Sequence, residues 1–368
     1  MESVGEPLHA HCAGRLEPLD GVLGEAGQGS FERIEEHLLH VVCGGDERLF
    51  DYLFKWMARL VQEPGKPGEV AVVLRGKEGV GKSVVGVILR RIFGQHALAV
   101  SSPKYVVGDF NSHLADVVFL DCAEALFAGD KATASKLKAL ITDDTLILER
   151  KGADAVQWPN ALSVLMTSNE DWVVPAGPES RRFFVLDVDD KKRGDQAYFD
   201  ALFAEVESDD AVGAFLHELL SVDVKGFKHR SVPSTDALRD QRERSLTGVL
   251  SWALDLASRG GIVRTRSGSQ AWRPFFATRE LFEDFSEWVL GQKYDRALAV
   301  NTFARDVRNV LGLHAQRRAK TSQGAPPSVQ DVPGFQMPET VMAFERLVRE
   351  RAGLLGDEEA ACDEEAAA

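Results

Sequence analysis

The eight residues Gly76-Lys77-Glu78-Gly79-Val80-Gly81-Lys82-Ser83 constrain this chain more than any other stretch. They follow a compact apolar run, Val70-Ala71-Val72-Val73-Leu74, and precede a helical pattern from Lys82 to Phe93. A strand, a glycine-rich loop and a helix in that order make a P-loop, in which backbone N–H groups and the positive end of the helix converge on phosphate oxygens. Lys82 is expected to reach the β- and γ-phosphates of ATP and Ser83 to ligate Mg2+, with Gly76, Lys77, Glu78, Gly79, Val80 and Gly81 completing the cradle.

Around this loop, apolar runs alternate with helical patterns. Strands are expected at Val117–Leu120, Leu162–Met166 and Phe183–Val188, with a helix near Lys131–Ile141. That alternation predicts an α/β fold with a mainly parallel sheet covered by helices, with the core at 63–192. Residues 1–30 read as a lead-in without periodicity, and 31–62 as two helices broken by Cys43-Gly44-Gly45-Asp46. A helical lid or linker is expected over 193–233. Helical stretches near Arg239–Ala257, Thr278–Leu290 and Asn301–Leu311 come next. A turn-rich basic segment follows them, so a winged-helix-like unit is expected over 234–345. The last part, 346–368, is a helix end and an acidic tail.

Composition narrows the function classes. The chain has 44% hydrophobic and 27% charged residues, a globular balance. It has no apolar run long enough to span a membrane and no secretory pattern at its start, so the expected location is the cytoplasm. Its four cysteines, Cys12, Cys43, Cys122 and Cys362, lack metal-ligand spacing. A net charge of −14 argues against a wholly DNA-coated surface, and leaves room for a local basic lining.

Hydrolysis requires an acid near the metal and a base that polarises water. The run Val117–Leu120 leads into Asp121-Cys122-Ala123-Glu124, where Asp121 can hold Mg2+ through water and Glu124 can act as base. Asn169, after the strand ending at Met166, is the candidate sensor of the γ-phosphate. Arg181 and Arg182, before the strand Phe183–Val188, are candidates to stabilise charge on a neighbour's nucleotide. Two β-like runs flank Lys151-Gly152-Ala153-Asp154, predicting a hairpin with Arg150 and Lys151 near its tip, where cations can follow a DNA backbone. Arg317, Arg318 and Lys320, in the basic C-terminal segment, are the further candidate DNA-binding residues. The bland readings are a turn-forming Asn169, surface ion-pair arginines and a solvated hairpin.

Taken together these strings resemble the superfamily 3 helicases, in particular the helicase domain of phage and plasmid primase-helicase proteins. The likeness spans about 31–190. It rests on the P-loop, Ala128-Gly129-Asp130-Lys131, Leu140-Ile141-Thr142, Thr167-Ser168-Asn169-Glu170-Asp171-Trp172-Val173-Val174-Pro175-Ala176-Gly177 and Arg181-Arg182-Phe183-Phe184. The resemblance implies an AAA+-like hexamer with ATP between subunits. It also implies an Asn sensor at Asn169, an arginine finger at Arg181 or Arg182, and a central hairpin, with Lys151, that grips a single strand or fork. The family's paired acids fall at Ala123-Glu124, so the first is displaced, with Asp121 two residues earlier. No primase module is visible, and a separate primase or polymerase is an expected partner. Two other readings stand beside the helicase: a DNA-binding assembly ATPase with switch-like hydrolysis, and a small-molecule kinase.

Overall fold

The computed structural model describes residues 29–102, 104–123, 131–178, 180–246, 248–291, 298–319 and 331–355. The chain divides into two compact units, with the boundary after Gln241 and Gly177–Glu179 assigned to the second.

The first unit is built on five parallel strands: β1 (Ala71–Arg75), β2 (Ala97–Val100), β3 (Phe119–Ala123), β6 (Ser163–Ser168) and β7 (Phe183–Asp187). The order across the sheet is β2-β3-β6-β1-β7. Between β3 and β6 the chain makes a separate antiparallel pair, β4 (Thr145–Leu148) with β5 (Val156–Pro159). The sheet is buried on both faces, and its strands sort their side chains by the period of two. Val72 and Leu74 of β1, Leu165 of β6 and Phe184 and Leu186 of β7 enter one core. Ala71 and Val73, Val164 and Met166, and Phe183 and Val185 enter the other.

The first core is covered by α1 (Glu32–Glu36, continuing as a wide-turn segment His37–Val42), α2 (Glu47–Gln62) and α3 (Ser83–Phe93). Helix α2 starts where Asp46 caps it, its carboxylate accepting from the N–H groups of Arg48 and Leu49 at 2.9 and 3.1 Å. The other core holds residues of α4 (Lys104–Val107) and α5 (Lys131–Thr142). After β7 come α6 (Gln196–Glu207) and α7 (Asp209–Ser221), whose buried Leu202, Val206, Val212 and Phe215 join the first core. The N-terminal helices and the segment 193–221 therefore share one core with the sheet. Helix α8 (Asp236–Arg244) contains the boundary between the units.

The second unit contains α9 (Gly248–Ser258), the small hairpin of β8 (Val263–Thr265) and β9 (Gly268–Gln270), and then β10 (Phe275–Ala277). Helices α10 (Thr278–Gly291) and α11 (Val300–Leu311) follow, then β11 (Ala315–Ala319), β12 (Asp331–Gln336) and α12 (Val341–Arg351). A three-stranded antiparallel sheet in the order β10-β12-β11 backs the helices. Phe303 of α11 anchors the core, its ring 5.3 Å from Trp252 and 4.9 Å from Phe285. Buried Asp284 is fully tied in, accepting from Trp252 Nε1 at 2.7 Å, Arg259 at 3.0 Å and the Arg264 N–H at 2.7 Å. A carboxylate so enclosed is tolerable only with such partners.

Two strand boundaries differ from the sequence expectation. β3 extends through Asp121 and Cys122 to Ala123, and β6 takes in Thr167 and Ser168. Polar residues at the carboxyl ends of central strands still complete the ladder, as in Asp121↔Leu165 and Leu74↔Thr167. Strand β2 was not foreseen: Ala97-Leu98-Ala99-Val100 has little β-branching and sits at the sheet edge.

Candidate phosphate-loop site

The glycine loop leaves the carboxyl end of β1 and enters α3, as the motif requires. The Lys82 ammonium folds back over the loop. It donates to the Gly76 carbonyl at 2.7 Å, to the Lys77 carbonyl, and to Oδ1 of Asn169 at 2.8 Å. Partial burial lowers its proton affinity from the ordinary lysine value. Asn169 can reach it because β6 lies directly beside β1, in the register Arg75↔Ser168. Two of the residues singled out in the sequence are thus joined by a hydrogen bond. Ser83 opens α3 with an exposed side chain.

Several side chains that carry no local sequence signal hold this region. Gly81 has φ +95°, and a Cβ there would stand 2.5 Å from the His37 ring. That ring is fully buried. It contacts the Gly81 carbonyl through Nε2 at 3.1 Å and the Tyr198 hydroxyl through Nδ1 at 2.9 Å. A carbonyl can only accept, so Nε2 carries the proton, and in the neutral ring Nδ1 accepts from the Tyr198 hydroxyl. Burial accordingly pulls His37 down from 6.5 to about 4, against the opposing pull of the Gly81 carbonyl. On the other flank, Lys77 pairs with Asp190 at 2.7 Å and Arg193 Nε donates to the Glu78 carbonyl at 3.0 Å. Arg75, at the base of the loop, is held by a bidentate contact with Asp187 and by Asp240. Gln241 fixes the segment after Asn169, accepting from the Val173 and Val174 N–H groups at 2.7 and 3.2 Å.

Asp121 of β3 is directed at α3. Its carboxylate faces Gly86, one helical turn further along α3, where a Cβ would stand only 2.5 Å away. Arg90, a turn beyond, pairs with it at 3.3 Å. Burial raises the Asp121 carboxyl and Arg90 partly offsets the rise. Cys122 points into the opposite core, and Glu124 lies outside the described residues.

Arg181 and Arg182 sit at the far edge of the sheet. The Arg182 carbonyl accepts from the Ala71 N–H at 2.8 Å, at the start of β1. Five residues of extended strand, about 16 Å, separate that point from Gly76. Neither arginine reaches the loop of its own chain. Arg181 is exposed, and Arg182 keeps a buried Nε without a hydrogen-bond partner among the described residues.

The β4–β5 hairpin forms as expected, with Arg150 and Lys151 exposed at its tip and Gly152 at φ +79° in the turn. Its base is tied down: Trp158 Nε1 donates to the Ala115 carbonyl at 2.8 Å, and Asn111 bridges Ile147 and Glu149. Next to Asn111, Phe110 is 60% exposed, and Tyr105 is 48% exposed with Lys104 stacked over its ring. In the second unit Arg317 is exposed on β11; the side chain of Arg318, and Lys320 entirely, lie outside the described residues. Among the described residues no helix is long and apolar enough to cross a membrane, and no cluster of His, Cys, Asp and Glu could hold a metal by itself. Cys43 and Cys122 are buried free thiols, and Cys12 and Cys362 are outside the described residues.

Residues 74–182 match a family of unknown function (DUF5906). Over 267 residues the chain is 24% identical to the DNA primase-polymerase of Nitratiruptor phage NrS-1, an alignment that takes in 67% of this chain and 36% of that protein. The chain therefore spans little more than a third of the length of this relative. The apo structure of the NrS-1 C-terminal region (305–718) superposes with a TM-score of 0.62, covering 87% of this chain and 78% of that one at 17% identity. A second, A-form apo structure of the same region gives 0.61. The α/β fold with its parallel sheet is thus shared with that region, and the chain is homologous to part of a phage DNA primase-polymerase.

Proposed function

We propose that the chain is an ATP-driven DNA translocase or helicase of phage or plasmid replication, working as a ring with nucleotide sites between subunits. The observation that carries this reading is the Lys82–Asn169 contact across β1 and β6. A lysine in the loop and an amide at the tip of the adjacent strand are the pair needed to bind a terminal phosphate and register its loss. The strand order, with the loop strand between β6 and β7, supports an AAA+-like P-loop ATPase. The helix–strand–helix–helix–hairpin succession of the second unit supports a winged-helix-like module.

The residues present suit ATP and Mg2+. The loop offers backbone N–H groups at the start of α3, Lys82 offers charge to the β- and γ-phosphates, and Ser83 offers an exposed hydroxyl to the metal. Asp121, a turn away and paired with Arg90, would influence a Ser83-bound cation only through water. Glu124 is proposed as the base. Bound ATP would supply the scissile phosphoanhydride; the chain's part is to hold the phosphates, orient water and stabilise developing charge. Because Arg181 and Arg182 lie beyond reach of their own loop, a neighbouring subunit's site is the place where either can act. A ring, expected to be a hexamer, would bring the β4–β5 tips together, with Arg150 and Lys151 on phosphates and Tyr105 and Phe110 available for stacking on bases.

The test is ATP hydrolysis with and without single-stranded DNA, followed by unwinding of a fork. Hydrolysis indifferent to DNA sinks the translocase. One observation favours the alternative of an assembly ATPase with slow, switch-like turnover: Asp121 is neutralised by Arg90, and buried Cys122 occupies the position after it. Unchanged turnover in Glu124→Gln, with assembly still dependent on ATP, selects that alternative.

A further inference from the structure

We infer that the second unit reads the sequence of duplex DNA through the outer face of α11, making it a site-recognition module distinct from the strand-gripping hairpin. This rests on the DNA-binding part of the proposed function and not on ATP hydrolysis. Helix α11 is amphipathic with a clean division. Phe303, Val307 and Leu311 are buried, whereas Asn301, Arg305, Arg308 and Asn309 are exposed. The spacing i, i+4, i+7, i+8 places those four side chains within one stripe of about 100°.

Their chemistry is that of base recognition. Arginine can grip the O6 and N7 of guanine with two hydrogen bonds, and asparagine the N6 and N7 of adenine. The only ion pair on the stripe among the described residues is Arg305 with its neighbour Asp306 at 3.4 Å, and this is solvent-exposed and weak. Arg308, Asn301 and Asn309 carry no side-chain partner among the described residues, so nothing within the unit explains them.

Presentation is rigid. The Phe303 ring is wedged among Trp252, Phe282 and Phe285, and Gly312, at φ +69°, ends the helix in the left-handed conformation before β11 begins. The pairing of β11 with β12 runs out to Ala319↔Asp331, so the hairpin extends from the end of α11 with Arg317 exposed along it. A helix bearing base-reading groups, followed at once by a hairpin bearing a cation, matches a major groove and the phosphates beside it. Single strands lack that groove. The occupant that suits this face is therefore a duplex.

The experiment uses the full chain. A duplex library with a randomised core is enriched by binding, and affinities for the selected duplex and a scrambled one are compared by fluorescence anisotropy. Wild type should enrich a motif. Asn301→Ala and Arg308→Lys, which keeps the charge but loses the fork, should each cost about tenfold to a hundredfold on the selected duplex and little on the scrambled one. Arg317→Ala should weaken both equally and flatten the salt dependence. Melting curves and ATP turnover of the variants should match wild type. No enriched motif, an equal loss on both duplexes for the α11 variants, or no loss at all would overturn the inference. A protein that hydrolyses no ATP yet shows the selective losses would sink the translocase and leave this inference standing.

Discussion

The two ends of the parallel sheet are built differently. At the carboxyl end, almost every polar group near the glycine loop is engaged: Lys82 with Asn169, Lys77 with Asp190, Arg75 with Asp187 and Asp240, and His37 with Gly81. At the amino end of β7, Arg181 is exposed and Arg182 leaves a buried Nε unsatisfied among the described residues. A region that binds its ligand alone must be preorganised within one chain, because order gained beforehand is not charged against binding. A region that acts on a neighbour can remain incomplete until the neighbour arrives. The contrast predicts one self-contained half-site and one that is finished only by assembly.

The largest effect should come from the self-contained end. Lys82→Ala removes the charge that answers the phosphates and should abolish ATP turnover. The fold should survive, since the ammonium's partners are two loop carbonyls and one amide and no buried charge is left unpaired by its removal. Thermal melting near wild type, without the rise normally given by ATP, is the expected result. Unchanged turnover removes the site from this loop.

Next come the arginines, where the contrast itself is at stake. Loss of a charge-stabilising arginine in trans typically costs 10³–10⁵ in turnover. Arg181→Ala or Arg182→Ala should therefore be nearly inactive while binding ATP normally. Mixed with wild type, the affected variant should depress activity more steeply than dilution does. A linear decline would mean that the amino end is as self-sufficient as the loop. Asn169→Ala should follow, with turnover lower by roughly 10²-fold if it orients water or senses the phosphate as an electrostatic donor does. It also frees the Lys82 ammonium from one of its contacts, so nucleotide affinity should change less than turnover.

Sequence alone reached the loop, the parallel sheet and the hairpin, because each is written in a local pattern: glycine spacing, apolar runs and a turn. Asn169 was found for the same reason, as a polar residue following an apolar strand. The supports of the loop were not legible. His37 and Tyr198 are 161 residues apart, and Gln241 is 68 residues from the Val173 it caps. Nothing local marks either, since a histidine on an apolar helical face reads as ordinary core. Asp121 shows the opposite limit. Its position at a strand end suggested the metal, and its contacts with Gly86 and Arg90 are a geometry that only the packing of α3 on the sheet determines. Gly86 was the available clue, a glycine inside a helix that leaves room for a carboxylate.

The smallest effect expected concerns stability rather than turnover, and it bears on how firmly the loop is held. His37 is neutral in the folded protein, with its proton affinity lowered from 6.5 to about 4, whereas in the unfolded chain it titrates normally. Between those two values the unfolded state binds more protons than the folded one, so stability falls as the pH drops through this window. The loss is fully developed near pH 4 and amounts to about 3 kcal/mol at most, at 1.36 kcal/mol per unit of pKa difference. His37→Gln keeps a donor for Gly81 and an acceptor for Tyr198 and does not titrate. Its melting temperature should be slightly lower than wild type at pH 7.5 and should approach or pass it by pH 5. Because His37 stays neutral in the folded protein down to about pH 4, ATP affinity should hold over this interval, and only the melting temperatures of the two proteins should diverge in their pH dependence. Parallel pH profiles for the two proteins would place the acid sensitivity elsewhere and reduce His37 to a packing residue.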